Sequence, residues 1–377
     1  MKLPPNIMPI LCILAAAALL ATIRPVGELD AVAIWSGVQV YLRGGDPYNF
    51  QSLSSMLLEH FNSSRTSERF ANPPWAIPLL VPLFWWSFKT SKFLLIVGNL
   101  ATLTWCITRL QRMWGPIPWT HTIPLWLYFP SVASLYCGQL SFLPLVGILL
   151  AIEWISSPKA PWWKWCMAMT CLFIKPQGTY LAIIFLIVAF LRKATGAEIT
   201  KVLCVGGGFL VLFCPQPLSY MSSWTNTVDF LHTLKIFSLS TGLRDLMEGF
   251  GFTSKLSPWI LPLGIITGSF MMKIHVKTPL GLMIAVLISC ATAPYIWVYD
   301  YSALLPLCFF SIASLSLRTM STLQKALGVG LSALLVMPVY IELLPSSYAP
   351  FFIHLCVVAA LTYLAYPMMR SVSHVTE

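Results

Sequence analysis

Residues 7–23 of the chain read IMPILCILAAAALLATI, an apolar run without a charged side chain. Such a run is typical of a helix that crosses a lipid bilayer, which needs about 20 predominantly apolar residues. Across the chain, 57% of the 377 residues are hydrophobic and 10% are charged, whereas soluble proteins carry about 25% charged residues. The composition excludes a soluble enzyme and predicts an all-α polytopic membrane protein of about 10–12 transmembrane helices.

The placement of basic residues predicts the orientation of these helices. Cytoplasmic loops of membrane proteins carry an excess of Lys and Arg. With the N-terminus inside, the inner side receives most basic residues, including Arg192 and Lys193, and we therefore expect both termini in the cytoplasm. The short outer loops then receive only Arg109, Arg112, Lys159 and Lys164.

Twelve apolar blocks are the candidate spans. Those between residues 109 and 164 could instead form a re-entrant hairpin, because several prolines interrupt them. The predicted spans are 6–23, 73–88, 93–108, 119–136, 140–156, 166–190, 202–215, 258–272, 279–298, 302–317, 326–344 and 350–369.

Two segments, 24–72 and 216–257, are too long and too polar to be simple turns, and both are predicted to lie outside. Together they hold most of the acidic side chains. In 31–42 and 52–61 the apolar residues recur at i, i+3 and i+4, which predicts amphipathic helices on the membrane surface. We expect one membrane domain over residues 1–377 with two external elaborations, and long external loops often carry function.

Asp30, in the stretch GELDAVAIW, lies seven residues beyond the first apolar run. It directly precedes one of the predicted surface helices. Asp is favoured as a helix N-cap, where its oxygen satisfies backbone N–H groups. A carboxylate at the lipid–water boundary could equally act as a general base for an incoming hydroxyl.

Three polar side chains stand in or beside apolar spans. Lys175, in CLFIKPQGTY, is costly inside hydrocarbon and adjoins a proline that breaks the helix; it indicates a polar cavity or a phosphate site, unless it snorkels to the interface. Gln139, in YCGQLSF, belongs to a cavity or to a helix–helix contact. Asp300, in YIWVYDYSALLP, caps the next helix or binds a substrate hydroxyl.

The external segments supply further candidates. In GGDPYNF, residues 44–50, the Gly-Gly and Asp-Pro pairs predict a chain reversal with Tyr48 packed inward, and Asp46 could also bind substrate. In the segment 224–248, His232, Lys235 and Arg244 could neutralise a phosphate or form a solvated helix face.

Several functions are disfavoured. The chain has no Walker loop, GxGxxG, HExxH or GxSxG motif, and its ten cysteines form no CxxC pair. Ionisable residues are nearly absent from the spans, whereas ion-coupled transporters need them at the midplane. The net charge is +10, but the sequence has no stripe of basic residues interleaved with aromatic residues. The expected partner of this positive charge is therefore anionic lipid headgroups and not nucleic acid.

Taken in order, the motifs resemble those of glycosyltransferase family 87, in the C-type superfamily of polytopic enzymes that use polyprenyl-phosphate sugars. The family has an early Asp, a G-x-x-PY turn, a YPP-type helix start, a GQ hairpin, a KP(Q/T) helix and a late YD pair. One departure is Asn72, which stands where an aromatic often precedes the prolines. The matching positions are Asp30, Gly44–Tyr48, Asn72–Pro74, Gly138–Gln139, Lys175–Gln177 and Tyr299–Asp300.

The resemblance implies an inverting transferase that moves a hexose, mannose favoured, from a polyprenyl-phosphate donor to a lipid- or glycan-linked acceptor hydroxyl on the outer face of the cell membrane. Asp30 would be the catalytic base, and no cofactor or metal is expected. A non-catalytic lipid or solute transporter, or a flippase, is the alternative. The substrate-binding candidates are Lys175, Arg244, Gln139, Gln177, Tyr48, Asp46, His232 and Asp300.

Overall fold

A computed structural model describes residues 7–22, 29–61, 69–114, 125–157, 159–233, 278–293 and 298–316. Every regular element within these ranges is helical, so the predicted all-α class is confirmed. Short 3-10 segments occupy Pro74–Ala76, Pro176–Gly178 and Val298–Leu304. The α-helices are α1 (Ile7–Thr22), α2 (Leu29–Leu42), α3 (Phe50–Phe61), α4 (Ile77–Phe84), α5 (Phe88–Trp114), α6 (Phe129–Cys137), α7 (Phe142–Ser156), α8 (Trp162–Phe173), α9 (Tyr180–Lys193), α10 (Gly196–Phe213), α11 (Pro215–Ser219), α12 (Met221–Thr233), α13 (Pro279–Thr292) and α14 (Leu305–Ser316).

In the described part of the chain, α5 and α10 are long and apolar enough to cross a membrane. The predicted spans 258–272, 326–344 and 350–369 lie outside the described residues. The chain forms two compact units: unit 1 comprises residues 1–104, 133–142 and 200–234, and unit 2 comprises the remainder.

Unit 1 is built around α2. Residues 31–38 of α2 are buried on every face of the helix, because α3, α4 and the segment after residue 69 surround it. The predicted amphipathic character therefore holds for α3, whose Leu53, Met56 and Leu57 are buried, and not for α2. Helix α2 is a core helix of unit 1 rather than a surface helix.

The segment before α5 also differs from its prediction as a span over 73–88. Helix α4 has 8 residues, which is about 12 Å of helix, against about 30 Å of hydrocarbon. Its end is held to α2: the Gln39 amide donates to the Phe84 carbonyl at 2.7 Å, and the Trp35 indole donates to the Trp86 carbonyl at 2.8 Å. The prediction of a span over 73–88 is therefore wrong, since this helix is too short and packs on α2.

In unit 2, the predicted span 166–190 is a hairpin of two short helices. Near the open end of the hairpin, the Trp165 indole of α8 donates to the Leu186 carbonyl of α9 at 2.9 Å. The Trp165 and Phe190 rings stack at 4.4 Å. Since Trp165 is near the start of α8 and Phe190 is near the end of α9, the two helices run antiparallel. The single-span prediction is wrong.

The turn of this hairpin has its backbone groups satisfied by side chains. The Thr179 hydroxyl donates to the carbonyls of Leu172 and Lys175 at 3.4 and 3.2 Å. The Leu181 N–H donates to the Ser289 hydroxyl of α13 at 3.0 Å. A helix break inside apolar surroundings is tolerated when its polar groups are bonded in this way.

The open end of the hairpin gathers basic residues. Arg109 and Lys164 both bind the Glu153 carboxylate, and the Lys164 contact is 2.8 Å. The Lys193 ammonium donates to the carbonyls of Trp154 and Ser157 at 2.9 and 2.5 Å. Lys193 thus lies at the same end of unit 2 as Arg109 and Lys164, whereas the twelve-span topology placed it on the opposite membrane face. That part of the predicted topology is wrong.

Candidate functional site

Asp30 is hydrogen-bonded to Gln139 in unit 1. Helix α2 begins at Leu29, so Asp30 lies inside the first helical turn and does not precede it as an N-cap would. Acidic side chains are favourable in a first turn because of the helix dipole. The Gln139 amide nitrogen donates to Asp30 Oδ2 at 2.7 Å, and Asp30 remains partly exposed. The structure thus joins the predicted base to a second predicted site residue.

Gln139 owes its position to a helix cap and to a buried amide. Gly138 follows α6 with φ +71°, a left-handed conformation that glycine adopts readily. The N–H groups of Gly138 and Gln139 return to the carbonyls of Leu135 and Ser134 at 3.3 and 2.9 Å, which is the Schellman arrangement. The buried Asn99 amide of α5 donates to the Gln139 carbonyl at 3.0 Å.

Sequence reasoning did not select Asn99. It is a buried polar side chain within the apolar run of α5, and such residues in membrane helices are usually bonded to a neighbouring helix or segment. The sequence shows that Asn99 is a polar residue in an apolar helix. It does not show that the partner of Asn99 is Gln139, 40 residues away along the chain.

Lys175 and Asp300 form a buried ion pair in unit 2. The ammonium donates to Asp300 Oδ1 at 2.9 Å, and both side chains are at least nine-tenths buried. Lys175 stands at the break of the hairpin, and Asp300 lies in the 3-10 segment Val298–Leu304. The Tyr128 hydroxyl donates to the Tyr301 carbonyl at 3.0 Å and anchors that segment. Lys175 therefore points to a partner carboxylate and does not snorkel.

The predicted turn after α2 is present. Gly44 has φ +80°, and the Tyr48 N–H donates to Asp46 Oδ1 at 2.9 Å. Tyr48 packs inward as predicted: its hydroxyl donates to the Asn72 carbonyl at 2.6 Å, and burial raises the pKa of the phenol above its ordinary value. Tyr48 therefore braces the turn, and its hydroxyl is engaged within the protein.

The remaining candidates are less informative. Gln177 is half-buried in the 3-10 turn beside Lys175. His232 lies in the last turn of α12, and Lys235 and Arg244 lie outside the described residues. Among the described side chains, no group of three or more His, Cys, Asp or Glu is placed to hold a metal ion.

A polar cleft of about 280 Å³ also opens on unit 1. Its lining includes Asp46 and Asn49 of the turn, Arg69, and Ser223 and Asn226 of α12. Sequence reasoning selected only Asp46 and Tyr48 from this cleft, because nothing in the sequence predicts that α12 faces the turn.

A comparison of the sequence with models of known protein families identifies one family. The sequence model of glycosyltransferase family 87 matches residues 70–317, about two thirds of the 377-residue chain. The chain belongs to glycosyltransferase family 87, and it is a glycosyltransferase of the membrane. No curated protein and no solved structure matches the chain. Family membership favours the enzyme over the transporter alternative.

The limits of the match matter for individual residues. Gln139, Lys175 and Asp300 lie within the matched region, whereas Asp30 and Asp46 precede its first residue. The hydrogen bond from Gln139 to Asp30 therefore has particular value, because it connects a residue inside the family match with the candidate base outside it.

Proposed function

We propose that the chain transfers a hexose, mannose favoured, from a polyprenyl-phosphate donor to a hydroxyl of a lipid- or glycan-linked acceptor, with inversion at the anomeric carbon. Asp30 is the general base. The observation that carries the proposal is the 2.7 Å hydrogen bond between Gln139 and Asp30. This hydrogen bond supports the proposal because it holds the Asp30 carboxylate in one orientation. The Gln139 amide is neutral, so it does not cancel the negative charge of Asp30.

The reaction follows from these groups. The acceptor oxygen attacks the anomeric carbon from the face opposite the phosphate, and Asp30 takes the proton of the attacking hydroxyl. The bond between the anomeric carbon and the phosphate oxygen breaks, and polyprenyl phosphate leaves with the electron pair. This leaving group is already anionic, so it needs no general acid. By analogy with inverting glycosidases, the sugar passes through an oxocarbenium-like state.

The donor phosphate requires a fixed cation, and we propose Lys175 for this role. An ammonium group is a strong donor to phosphate oxygens, and the contact with Asp300 holds this ammonium in a fixed position. Asp300 would orient the ammonium, and Gln177 on the same turn would assist. Arg244, with His232 and Lys235, remains a predicted second source of positive charge.

The basic end of the hairpin supports an orientation for unit 2. Arg109, Lys164 and Lys193 meet there, and cytoplasmic ends of membrane helices are rich in such residues. With this end in the cytoplasm, Lys175 at the opposite end of the hairpin faces outward. The orientation is the one that an outer-face active site needs, and both termini in the cytoplasm remain the prediction.

The donor class is tested with the wild-type chain in isolated membranes. Radiolabelled polyprenyl-phosphate mannose, glucose and arabinose are supplied in parallel with the corresponding nucleotide sugars. We expect label to pass to a glycan or lipid product from a polyprenyl-phosphate sugar only. Transfer from a nucleotide sugar in membranes depleted of polyprenyl phosphate would contradict the proposed donor class.

A further inference from the structure

The polar cleft of unit 1 has no role in the chemistry proposed for Asp30. Helix α2 separates the two: Asp30 lies in its first turn and the cleft adjoins the turn that follows Leu42. Twelve residues of helix extend over about 18 Å. The cleft therefore lies beyond the reach of a single sugar ring that reacts at Asp30.

The walls of the cleft are fixed by contacts of their own. Asn49 Oδ1 accepts from the N–H groups of Gln51 and Ser52 at 2.9 and 3.1 Å and thereby caps α3. On the facing wall, the Trp224 indole of α12 donates to the Ala71 carbonyl at 3.4 Å, and its ring meets the Trp75 ring edge-on at 5.4 Å. A ligand would thus enter a largely preformed site.

The cleft presents further polar groups on its lining. The side chains of Asn226 and Ser223 make no hydrogen bond to the described part of the chain. Arg69 places its guanidinium 4.0 Å from the centre of the Phe50 ring, and burial lowers the pKa of that guanidinium from its ordinary value. Asp46 uses one oxygen for the turn, and a carboxylate can accept several hydrogen bonds.

These groups select a class of ligand. The lining combines one guanidinium and one carboxylate with amides and hydroxyls, so donors and acceptors are mixed and the formal charges cancel. A neutral polyhydroxylated ring matches this mixture, because each hydroxyl both donates and accepts. A phosphate would meet the Asp46 carboxylate as well as the Arg69 guanidinium, so this lining offers it no excess of positive charge. The volume is near the lower limit of about 300–1,000 Å³ for drug-sized ligands, which suits one ring.

We propose that this cleft is a distal acceptor subsite that binds a neutral sugar ring of a glycan, several rings away from the hydroxyl that reacts at Asp30. The inference rests on the proposed function, and it selects an oligosaccharide-bearing acceptor over a single lipid-linked sugar. It also predicts that longer acceptors have a lower KM than shorter acceptors at similar kcat.

Binding is measured without catalysis, by saturation-transfer NMR on the full chain in lipid nanodiscs. The probes are neutral trisaccharides of mannose, glucose and galactose, with mannose 6-phosphate as the charged comparison. We expect a neutral trisaccharide to bind, and Asn226→Ala to weaken it about two- to tenfold, which is the effect of one hydrogen bond. Asn226→Trp fills the cleft and should abolish the signal.

The matched control is Thr225→Trp, at an exposed position on the same helix that does not line the cleft. It should bind as the wild type does. Absence of binding by every neutral trisaccharide, unchanged binding in both Asn226 variants, or tighter binding of mannose 6-phosphate would overturn the subsite. If a thermal scan shows that Asn226→Trp is unfolded, the test relies on Asn226→Ala alone.

The binding experiment tests the subsite and the transfer assay tests the proposed function, so either proposal can be contradicted without the other. Asp30→Asn should retain trisaccharide binding, since Asp30 is remote from the cleft. Binding that persists while no sugar is transferred from any lipid donor would remove the proposed function and leave a glycan-binding cleft. Sugar transfer whose acceptor KM does not depend on Asn226 would contradict the subsite and would leave the proposed transferase function standing.

Discussion

At the scale of single residues, the contact between Asp30 and Gln139 gives the site its definition. The sequence selected both residues, Asp30 as a base or cap and Gln139 as a polar group in an apolar stretch. It could not pair them, because they are 109 residues apart and no local pattern encodes such a contact. We therefore propose that Gln139 positions Asp30, in place of the direct substrate contact that the sequence suggested.

Replacing Gln139 by Ala should lower kcat about ten- to hundredfold with little change in donor KM. The expected loss corresponds to the ~1.5–3 kcal/mol of a hydrogen bond to a charged group. Asn99→Ala should lower kcat less, since Asn99 holds only the Gln139 backbone. Gln51→Ala, at an exposed position on α3, is the control. A Gln139→Ala effect confined to KM would contradict the positioning role.

Gly37 illustrates a packing constraint at the residue scale. A Cβ atom at this position would lie 2.3 Å from Phe70 Cδ2, and Phe70 is itself buried. Gly37→Ala should therefore lower the free energy of unfolding by about 1–3 kcal/mol, as overpacking does. Thermal unfolding in detergent measures the effect.

Gly98→Ala is the matched helical control, because a Cβ atom at that position would meet no other atom within 4 Å. That substitution should be neutral or stabilising, since alanine favours helix over glycine by about 1 kcal/mol. A shorter side chain at residue 70 should restore part of the stability of Gly37→Ala. Equal effects of the two glycine substitutions would contradict the close packing of α2.

At the scale of elements, the sequence predicted where helices form more reliably than where they cross the membrane. The block 166–190 is apolar throughout except near Lys175 and Pro176, and its summed hydropathy resembles that of one span. The chain reversal depends on Trp165 meeting Leu186 and on Ser289 bonding Leu181. Contacts of this kind depend on tertiary packing, which hydropathy does not register.

Variants of the buried Lys175–Asp300 pair distinguish its effect on stability from its effect on sugar transfer. Lys175→Met alone leaves a buried carboxylate without its cation, and removal of one partner of a buried pair costs about 3–5 kcal/mol. The double variant Lys175→Met, Asp300→Leu should recover much of the thermal stability, because paired apolar replacements are often nearly neutral.

Sugar transfer should stay low in that double variant, since the cation proposed for the donor phosphate is absent. Thermal scans and transfer assays on the same preparations check both expectations. The exposed pair Arg43–Glu59, at 3.0 Å, is the comparison, and breaking it should change either quantity little. Full activity in the stable double variant would assign the pair a purely structural role.

At the scale of the whole molecule, the observed helix lengths lead us to propose a membrane topology that differs from the twelve-span prediction. Helix α4 is too short to cross, and 162–193 forms a hairpin. We therefore expect the basic residues near 109, 159 and 164 to lie on the same membrane face as Lys193. Composition predicted the class of protein correctly. Two individual spans, over 73–88 and 166–190, were wrongly placed, because short helices and long spans have similar hydropathy.

Cysteine labelling in intact cells tests this topology. Lys159→Cys, at an exposed position, should react with a membrane-impermeant maleimide only after the cells are opened. Asn49→Cys, on the turn after α2, should react in intact cells. Each is compared with the parent chain, whose native cysteines set the background. Labelling of residue 159 from outside would restore the twelve-span topology.

The central claim is that Asp30 is the catalytic base, and Asp30→Asn tests it most directly. Transfer from polyprenyl-phosphate mannose in membranes is compared for wild type, Asp30→Asn and the surface control Glu59→Gln, at equal expression. The account predicts a loss of about 10²–10⁴-fold for Asp30→Asn, the contribution of a general base, and wild-type transfer for Glu59→Gln. Wild-type transfer by Asp30→Asn would contradict the account and redirect the search to Asp46 or Asp300.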